Sequence, residues 1–229
     1  MHDVTIVIPS FEEDHEIIKK TVNELTSLGA EVIVVDDGSE KPYPSSIKHG
    51  TNFGYGAALM TGIKNASRDL ILTMDGDSQH TSEEANKLYK AFHLMDADML
   101  VGVRRLKKES LIRFLGRKAL NWTASLFCGY WLNDLNSGCR IFRRSVAIGY
   151  FPILCKRFSF TTSITISMLC DGYRVEFFPI KVFDRVHGKT RVKLVRDGLV
   201  TLYYIIRNSV ALRTRGIRNW KRSLFLKTN

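Results

Sequence analysis

The sequence predicts an α/β fold in which a twisted, mostly parallel sheet is flanked by helices on both faces. Three observations lead there. Short β-branched apolar runs alternate with longer segments whose apolar residues recur every three or four positions through the first hundred residues. Proline, glycine or aspartate punctuates the ends of those runs. The apolar fraction, 45% of 229 residues, is enough for a sizeable core and fits one large domain, or one domain with an appended tail.

Asp3–Pro9 (DVTIVIP) reads as the first strand, ended by proline. Glu13–Leu28 carries Ile17, Ile18, Val22, Leu25 and Leu28 at helical spacing, and Gly29 stops it. Glu31–Val35 is a second strand, Lys41–Asn52 a loop, and Gly54 to Ala66 a helix. Asp69–Met74 is a third strand, and Thr81 or Ser82 caps a helix reaching Met95. Asp98–Val103 is a fourth strand. The rhythm then breaks. A helix is expected from Leu111 to Gly129, a short strand at Cys139–Arg144 and a helix near Thr162–Leu169. Two strands follow at Arg174–Phe178 and Ile180–Phe183. Val192–Leu212 reads as an amphipathic helix whose apolar side holds Leu194, Val195, Leu199, Leu202, Ile205, Ile206 and Val210. The expected division is therefore a domain over 1–191 and an amphipathic helix with a basic tail over 192–229.

The four cysteines are far apart in sequence and form no C-x-x-C pair, which argues against a zinc site or a secreted disulfide framework. No signal-peptide pattern opens the chain, and no uncharged apolar run reaches the ~18 residues of a membrane helix. A cytoplasmic setting is the expectation. The net charge of +11 is concentrated in two places. Arg104–Lys118 holds seven basic residues against Glu109, and Arg207 to the end holds seven with no acid. Both would attract phosphate groups or an anionic membrane surface. Each could equally be a solvated face or a soluble tail.

In an open parallel sheet, ligands bind beyond the carboxyl ends of the strands. Acidic residues collect at those ends, as Asp36-Asp37-Gly38-Ser39 after the second strand and Asp75-Gly76-Asp77-Ser78-Gln79 after the third. Carboxylates flanking a glycine repel each other unless a cation neutralises them, and Mg²⁺ or Mn²⁺ held with a substrate diphosphate fits. The plainer reading is a helix cap or a turn. Asn52–Leu59 has a superficial dinucleotide-binding look. It follows the wrong strand, however, and has Leu59 where the third glycine should stand.

Taken in order, IVIPSFEE, VVDDGS, Asn52–Leu59, MDGDSQH, LNSGCRIFRR, FSF, GYRVEFFPI and RVHGKT resemble the pattern of glycosyltransferase family 2 on the GT-A fold. Within that family the chain is most similar to the polyprenyl-phosphate (dolichyl-phosphate) sugar synthases. The arginine-rich segment around Arg113 and Arg117, the Asn-Ser-Gly-Cys-Arg run and the R-x-x-G-K-[ST] run carry that closer likeness. The resemblance implies that Pro9, Glu12 and Asp37 line a nucleoside pocket. It implies Asp75 on the nucleotide and the metal, Asp77 as the main metal ligand and Gln79 assisting. Arg113, Arg117, Ser137 and Arg140 would face an acceptor phosphate, with Asp77, Arg117 and Arg140 as the catalytic set. Arg185, Lys189 and Thr190 would lie on a loop over the donor diphosphate.

One departure stands out. The family often has a glutamate near the start of the helix after FSF, and this chain has Thr161, Thr162 and Ser163 there. A phosphate acceptor is already an anion and needs no general base, so the loss fits a lipid-phosphate acceptor. It equally fits a base supplied elsewhere, for instance by Asp134. The expectation is an inverting, Mg²⁺- or Mn²⁺-dependent transferase moving sugar from a UDP- or GDP-sugar to polyprenyl phosphate at a membrane face. A family 2 enzyme acting on a glycan hydroxyl is the alternative, and a non-catalytic nucleic-acid-binding module a remote one. Nucleic acid is not an expected partner, because the basic patches lack interleaved aromatics on one sheet. The apolar C-terminal helix could also pair with a second copy.

Overall fold

The computed structural model describes residues 1–77, 79–104, 111–132, 134–183 and 194–225. The chain alternates strand and helix as β1 (Val4–Ser10), α1 (His15–Ser27), β2 (Glu31–Asp36), β3 (Ile47–Lys48), α2 (Tyr55–Asn65), β4 (Leu70–Thr73), α3 (Ser82–Leu94) and β5 (Met99–Arg104). There follow α4 (Leu111–Cys128), β6 (Arg140–Arg143), α5 (Arg144–Tyr150) with a 3₁₀ turn at Phe151–Ile153, α6 (Phe160–Cys170), β7 (Val175–Ile180) and α7 (Leu194–Phe225). Local chemistry sets several of these limits. Asp14 caps α1 by accepting from the Glu16 N–H, and Thr81 caps α3 by accepting from the Glu84 N–H.

The seven strands lie in the order β3-β2-β1-β4-β6-β5-β7. Only β6 runs against its neighbours, antiparallel to both β4 and β5. Its register sets Arg140 opposite Thr73, so the chain entering β6 meets the carboxyl end of β4. Strand alternation divides the core between the two faces. Val7, Ile71 and Phe142 join Leu59, Ile63 and Ile164 on the side of α2, α4, α5, α6 and α7. Ile6, Ile8 and Leu72 join Ile18, Leu25 and Leu88 on the side of α1 and α3.

The structure corrects four expectations. The two strands expected over 174–183 are one strand, β7, which continues through Pro179. Proline is tolerated because β7 is at the sheet edge, where a missing N–H breaks no inner ladder. The loop expected over 41–52 contains the short strand β3. The helix α5 was not legible as a separate element, since Arg144–Tyr150 follows β6 directly. The C-terminal helix runs on to Phe225, through part of the basic run.

The packed side of α7 also differs from its expected apolar side. Thr201, Ile205, Asn208, Ser209 and Leu212 are buried, whereas Val195, Leu199, Tyr203, Ile206 and Val210 are exposed. Polar groups on the packed side bond across the helices: Ser159 Oγ with Thr201 Oγ1 at 2.8 Å, and Asn208 Nδ2 to Ser167 Oγ at 3.1 Å. Helix α7 thereby covers α6, every residue of which from Phe160 to Leu169 is buried. Cys128 and Cys170, distant in sequence, interact at the ends of α4 and α6, where Cys170 and burial push the Cys128 thiol up, and all four cysteines are free thiols.

Close packing of α2 on β1 requires Gly62, where an added Cβ would overlap Val7 Cγ1. Gly62→Val is expected to lower stability by roughly 1–3 kcal/mol in urea unfolding through overpacking. Gly149, exposed near the end of α5, has nothing within 4 Å of such a Cβ. Gly149→Ala should leave stability unchanged or raise it by up to about 1 kcal/mol.

Candidate active site

The carboxyl ends of β1, β2, β4 and β5 and the amino end of β6 converge at one edge of the sheet. The first two strands make a rigid wall of hydrogen-bonded carboxylates. Asp36 accepts from the Ser39 N–H at 2.8 Å and the Ser39 hydroxyl at 3.0 Å. Asp37, buried, accepts from His49 Nδ1 at 2.7 Å and from the N–H groups of Phe53 and Gly54 at 3.0 and 2.8 Å. Glu12, at a positive φ of 54°, accepts from the Glu40 N–H at 2.7 Å, and its own N–H donates to Ser39 Oγ at 2.8 Å. Pro9 is buried in β1 opposite Val35. Pro9, Glu12 and Asp37 are thus brought together. Asp37, however, uses its carboxylate to hold the 49–54 loop, a role that two adjacent aspartates did not announce.

The glycines of Asn52–Leu59 serve packing. Gly54 has φ 109°, and an added Cβ there would sit 2.6 Å from the Lys156 carbonyl. One at Gly56 would overlap the Cys155 carbonyl. The Ala57 N–H in the first turn of α2 already donates to Lys156 O at 2.8 Å. That N–H group is therefore committed within the protein rather than presented to a phosphate.

The Asp75–Gln79 turn follows β4. Asp75 is partly exposed, and Asp77 is buried to 6% exposure. The Tyr55 hydroxyl donates to Asp75 Oδ1 at 2.8 Å, and His80 Nε2 lies 3.9 Å from Asp75 Oδ2. Burial, reinforced by the Asp75 charge, pushes the Tyr55 phenol well above its usual range, so it stays a donor. The Gln79 N–H donates to Asp77 Oδ1 at 3.1 Å, which shapes the turn. Two aspartates on one turn beside a strand end supply hard oxygen donors, the chemistry Mg²⁺ or Mn²⁺ takes. Among the described residues no group of three or more His, Cys, Asp and Glu could hold an ion, so further ligands would have to come from substrate, solvent or residues outside that set.

The segment entering β6 closes on this turn. Thr73 Oγ1 donates to Gly138 O at 2.6 Å, and a Cβ at Gly138 would overlap both carboxylate oxygens of Asp75. Any larger residue there would have to push the Asp75 carboxylate aside. Ser137 is fully buried, with its hydroxyl unpaired among the described residues. Arg140 corrects its expected place facing the acceptor. It is fully buried, and its donors bond the carbonyls of Leu135, Ser137 and Thr161 and the Thr165 hydroxyl. Those five bonds match the five N–H groups of a guanidinium. Burial lowers Arg140 to about 10, opposed by Tyr55, Asp134 and Asp75, so it remains charged at neutral pH.

The first turn of α6, where a glutamate was missing from the sequence, holds Thr161, Thr162 and Ser163, all buried and with no acid among them. Asp134 is also buried. Arg117 is half-buried on α4, with its guanidinium 5.7 Å from the Phe114 ring centre. Arg113 lies in the first turn of α4, its side chain outside the described residues. Arg185, Lys189 and Thr190 lie outside the described residues altogether. The described chain before them ends beside the aspartate turn, with the Phe183 N–H donating to Gln79 O at 3.0 Å and the Lys181 N–H to Glu84 Oε2 at 2.8 Å. Tyr55, Thr73, His80 and Gly138 were not singled out from sequence. Tyr55, His80 and Gly138 had a signal as members of quoted runs (Asn52–Leu59, MDGDSQH and LNSGCRIFRR), whereas Thr73 had none.

Comparison with known proteins agrees with this geometry. The family profile described as glycosyl transferase family 2 matches residues 5–151. An undecaprenyl-phosphate mannosyltransferase of Micrococcus luteus is 26% identical, covering 94% of this chain and 97% of its own. An undecaprenyl-phosphate 4-deoxy-4-formamido-L-arabinose transferase of Salmonella paratyphi B is 28% identical over 88% of this chain, which spans about two thirds (65%) of that longer relative. Glucosyl-3-phosphoglycerate synthase of Mycobacterium tuberculosis, solved with Mn²⁺, UDP-glucose and phosphoglyceric acid, superposes with a TM-score of 0.73 at 13% identity, covering 91% of this chain and 80% of its own. That likeness bears on the fold alone, a mixed α/β fold of the GT-A kind. With its profile matched over well more than half its length, the chain belongs to glycosyl transferase family 2.

Proposed function

We propose that this glycosyltransferase moves a sugar from a UDP- or GDP-sugar to polyprenyl phosphate, with inversion, at the cytoplasmic face of a membrane. One observation carries the reading. The segment Ser137–Gly138 is seated directly against Asp75, so a donor held at the aspartate turn and an acceptor held at the β6 entrance would share one site. The curated relatives named for undecaprenyl phosphate support the choice of acceptor. So does the first turn of α6, whose threonines and serine offer no carboxylate to deprotonate a hydroxyl.

In this reading Pro9, Glu12 and the loop held by Asp37 form the nucleoside wall. Asp75 and Asp77, with Gln79 assisting, hold Mg²⁺ or Mn²⁺, which would neutralise charge on the departing nucleoside diphosphate. An oxygen of the acceptor phosphate attacks the anomeric carbon. The bond from that carbon to the donor diphosphate breaks, and its electron pair leaves with the nucleotide. The acceptor side is built by Arg113 and Arg117 on α4 and by Ser137, while Arg140 shapes the Ser137 loop from behind as a positioning residue. Arg185, Lys189 and Thr190 contact the donor diphosphate. Residues 1–191 form the transferase domain, and residues 192–229 form its helical and basic extension.

The test is transfer to a short polyprenyl phosphate with UDP- and GDP-sugars, following lipid-linked sugar and free nucleotide. Lipid-linked sugar that vanishes with chelator is the expected result. Donor hydrolysis without lipid product would overturn the acceptor and favour a glycan hydroxyl. Asp77→Ala should reduce kcat by about a hundredfold or more and abolish the response to added metal, as loss of a charge-stabilising group does. Gly138→Ala should displace the Asp75 carboxylate and reduce turnover by about tenfold or more while leaving the unfolding midpoint nearly unchanged. Arg140→Lys should instead destabilise the fold by roughly 3 kcal/mol, because buried carbonyls lose their donors.

A further inference from the structure

We propose that Tyr55 is a positioning residue for the aspartate turn, its phenol fixing the Asp75 carboxylate in the orientation that meets the metal and the donor diphosphate. The inference rests on the reading of Asp75 and Asp77 as the oxygen donors of the donor site. It does not depend on what the acceptor is. It also gives a purpose to the glycine-flanked run at the start of α2.

Asp75 needs something to hold it. Its side chain is 26% exposed, while Asp77 two residues on is buried. The last torsion of an aspartate is soft and roughly two-fold, and a neighbouring like charge favours turning away toward water. The Tyr55 hydroxyl opposes that turn. It donates to Asp75 Oδ1 at 2.8 Å, and the charge on the acceptor strengthens the bond. Gly138 lies against the same group, where an added Cβ would overlap both carboxylate oxygens. The carboxylate is thus held by a hydrogen bond and confined by a close backbone approach.

A phenol can aim a carboxylate only if its own backbone is fixed. Tyr55 is the first residue of α2 and stands between Gly54 and Gly56. A Cβ at Gly54 would sit 2.6 Å from Lys156 O, and one at Gly56 would overlap the Cys155 carbonyl. Both glycines therefore let the helix start press against the 155–156 backbone. The Ala57 N–H secures that contact by donating to Lys156 O at 2.8 Å, and Tyr55 packs against the core on the α2 side. This anchoring sets the reach and direction of the hydroxyl. Groups that orient a ligating residue without touching the ion typically change metal affinity or turnover by roughly 10–100-fold.

The test titrates Mn²⁺ by electron paramagnetic resonance, with UDP and separately with GDP, on the full chain and two variants. Tyr55→Phe keeps the ring and deletes the hydrogen bond. It should weaken Mn²⁺–nucleotide binding by about tenfold and raise the metal concentration for half-maximal donor turnover by a similar factor. Tyr150→Phe is the control. It removes another phenol bonded to a carboxylate, Asp171 Oδ2 at 2.7 Å beyond the end of α6, and should leave Mn²⁺–nucleotide binding unchanged. Undiminished binding in Tyr55→Phe overturns the inference alone and leaves the aspartate turn as the metal site. Equal weakening in both variants overturns it as well, because general loosening of the fold would then explain the effect. Slower turnover with unchanged Mn²⁺–nucleotide binding would assign the hydroxyl to the transferred sugar and likewise overturn it. No Mn²⁺–nucleotide binding by the wild-type chain would overturn the donor-site reading and the inference with it.

Discussion

Arg140 is the buried cation on which the packing around the β6 entrance depends. A guanidinium removed from water must have its donors satisfied, and here backbone carbonyls from the 135–137 loop and the start of α6 do so. Those bonds tie two pieces of chain to the first residue of an antiparallel strand. The loop is thereby held against β4, Gly138 reaches the Asp75 carboxylate, and α6 is oriented so that its first turn faces the loop. Charge balance comes from Asp134 and Asp75, neither of which needs direct contact at low effective dielectric. Burial cost and network are inseparable, which is why the group acts as architecture rather than as a hand extended to substrate.

The acidic residues at the strand ends divide into two kinds by the same accounting of hydrogen bonds. Buried Asp36 and Asp37 and exposed Glu12 all accept from backbone N–H groups and stiffen the loops around them. Asp75 receives the Tyr55 hydroxyl, keeps partial exposure and sits on a turn with Asp77. A rigid wall beside a pair of aspartates, one partly exposed and one buried, suits a site working through positioning and electrostatics. The insertion of β6 between β4 and β5 adds the other half, since an antiparallel strand brings its amino end to the edge where its parallel neighbours end.

The helical layer follows a different logic. α6 is buried almost throughout, so it needs cover on the side away from the sheet, and α4 and α7 provide it. Thr165 and Ser167 on α6, and Ser159 just before it, bond α7 side chains or their own helix carbonyls. Much of the packed face of α7 is consequently polar, and its apolar stripe is left facing outward. Amphipathicity in such a helix marks its outer environment as much as its inner one.

Much of this was legible from the chain alone. Strand-and-helix alternation, the glycine and proline stops, and aspartates placed after apolar runs follow from local preferences that neighbouring residues express by themselves. They sufficed for the fold class, and they pointed to the sheet edge and the aspartate turn that form the candidate site. The ordered motifs added the family, which the profile match over residues 5–151 shows. Other features depend on contacts between residues far apart in sequence. The direction of β6, the continuity of β7 through Pro179, the inward commitment of Asp37 and Arg140, and the contact of Gly138 with Asp75 are all of that kind. A motif names a residue type at a position, but not whether its donors and acceptors meet the protein or a ligand. Only the tertiary structure decided that, because hydrogen-bond satisfaction and burial belong to the packed chain rather than to any one segment of it.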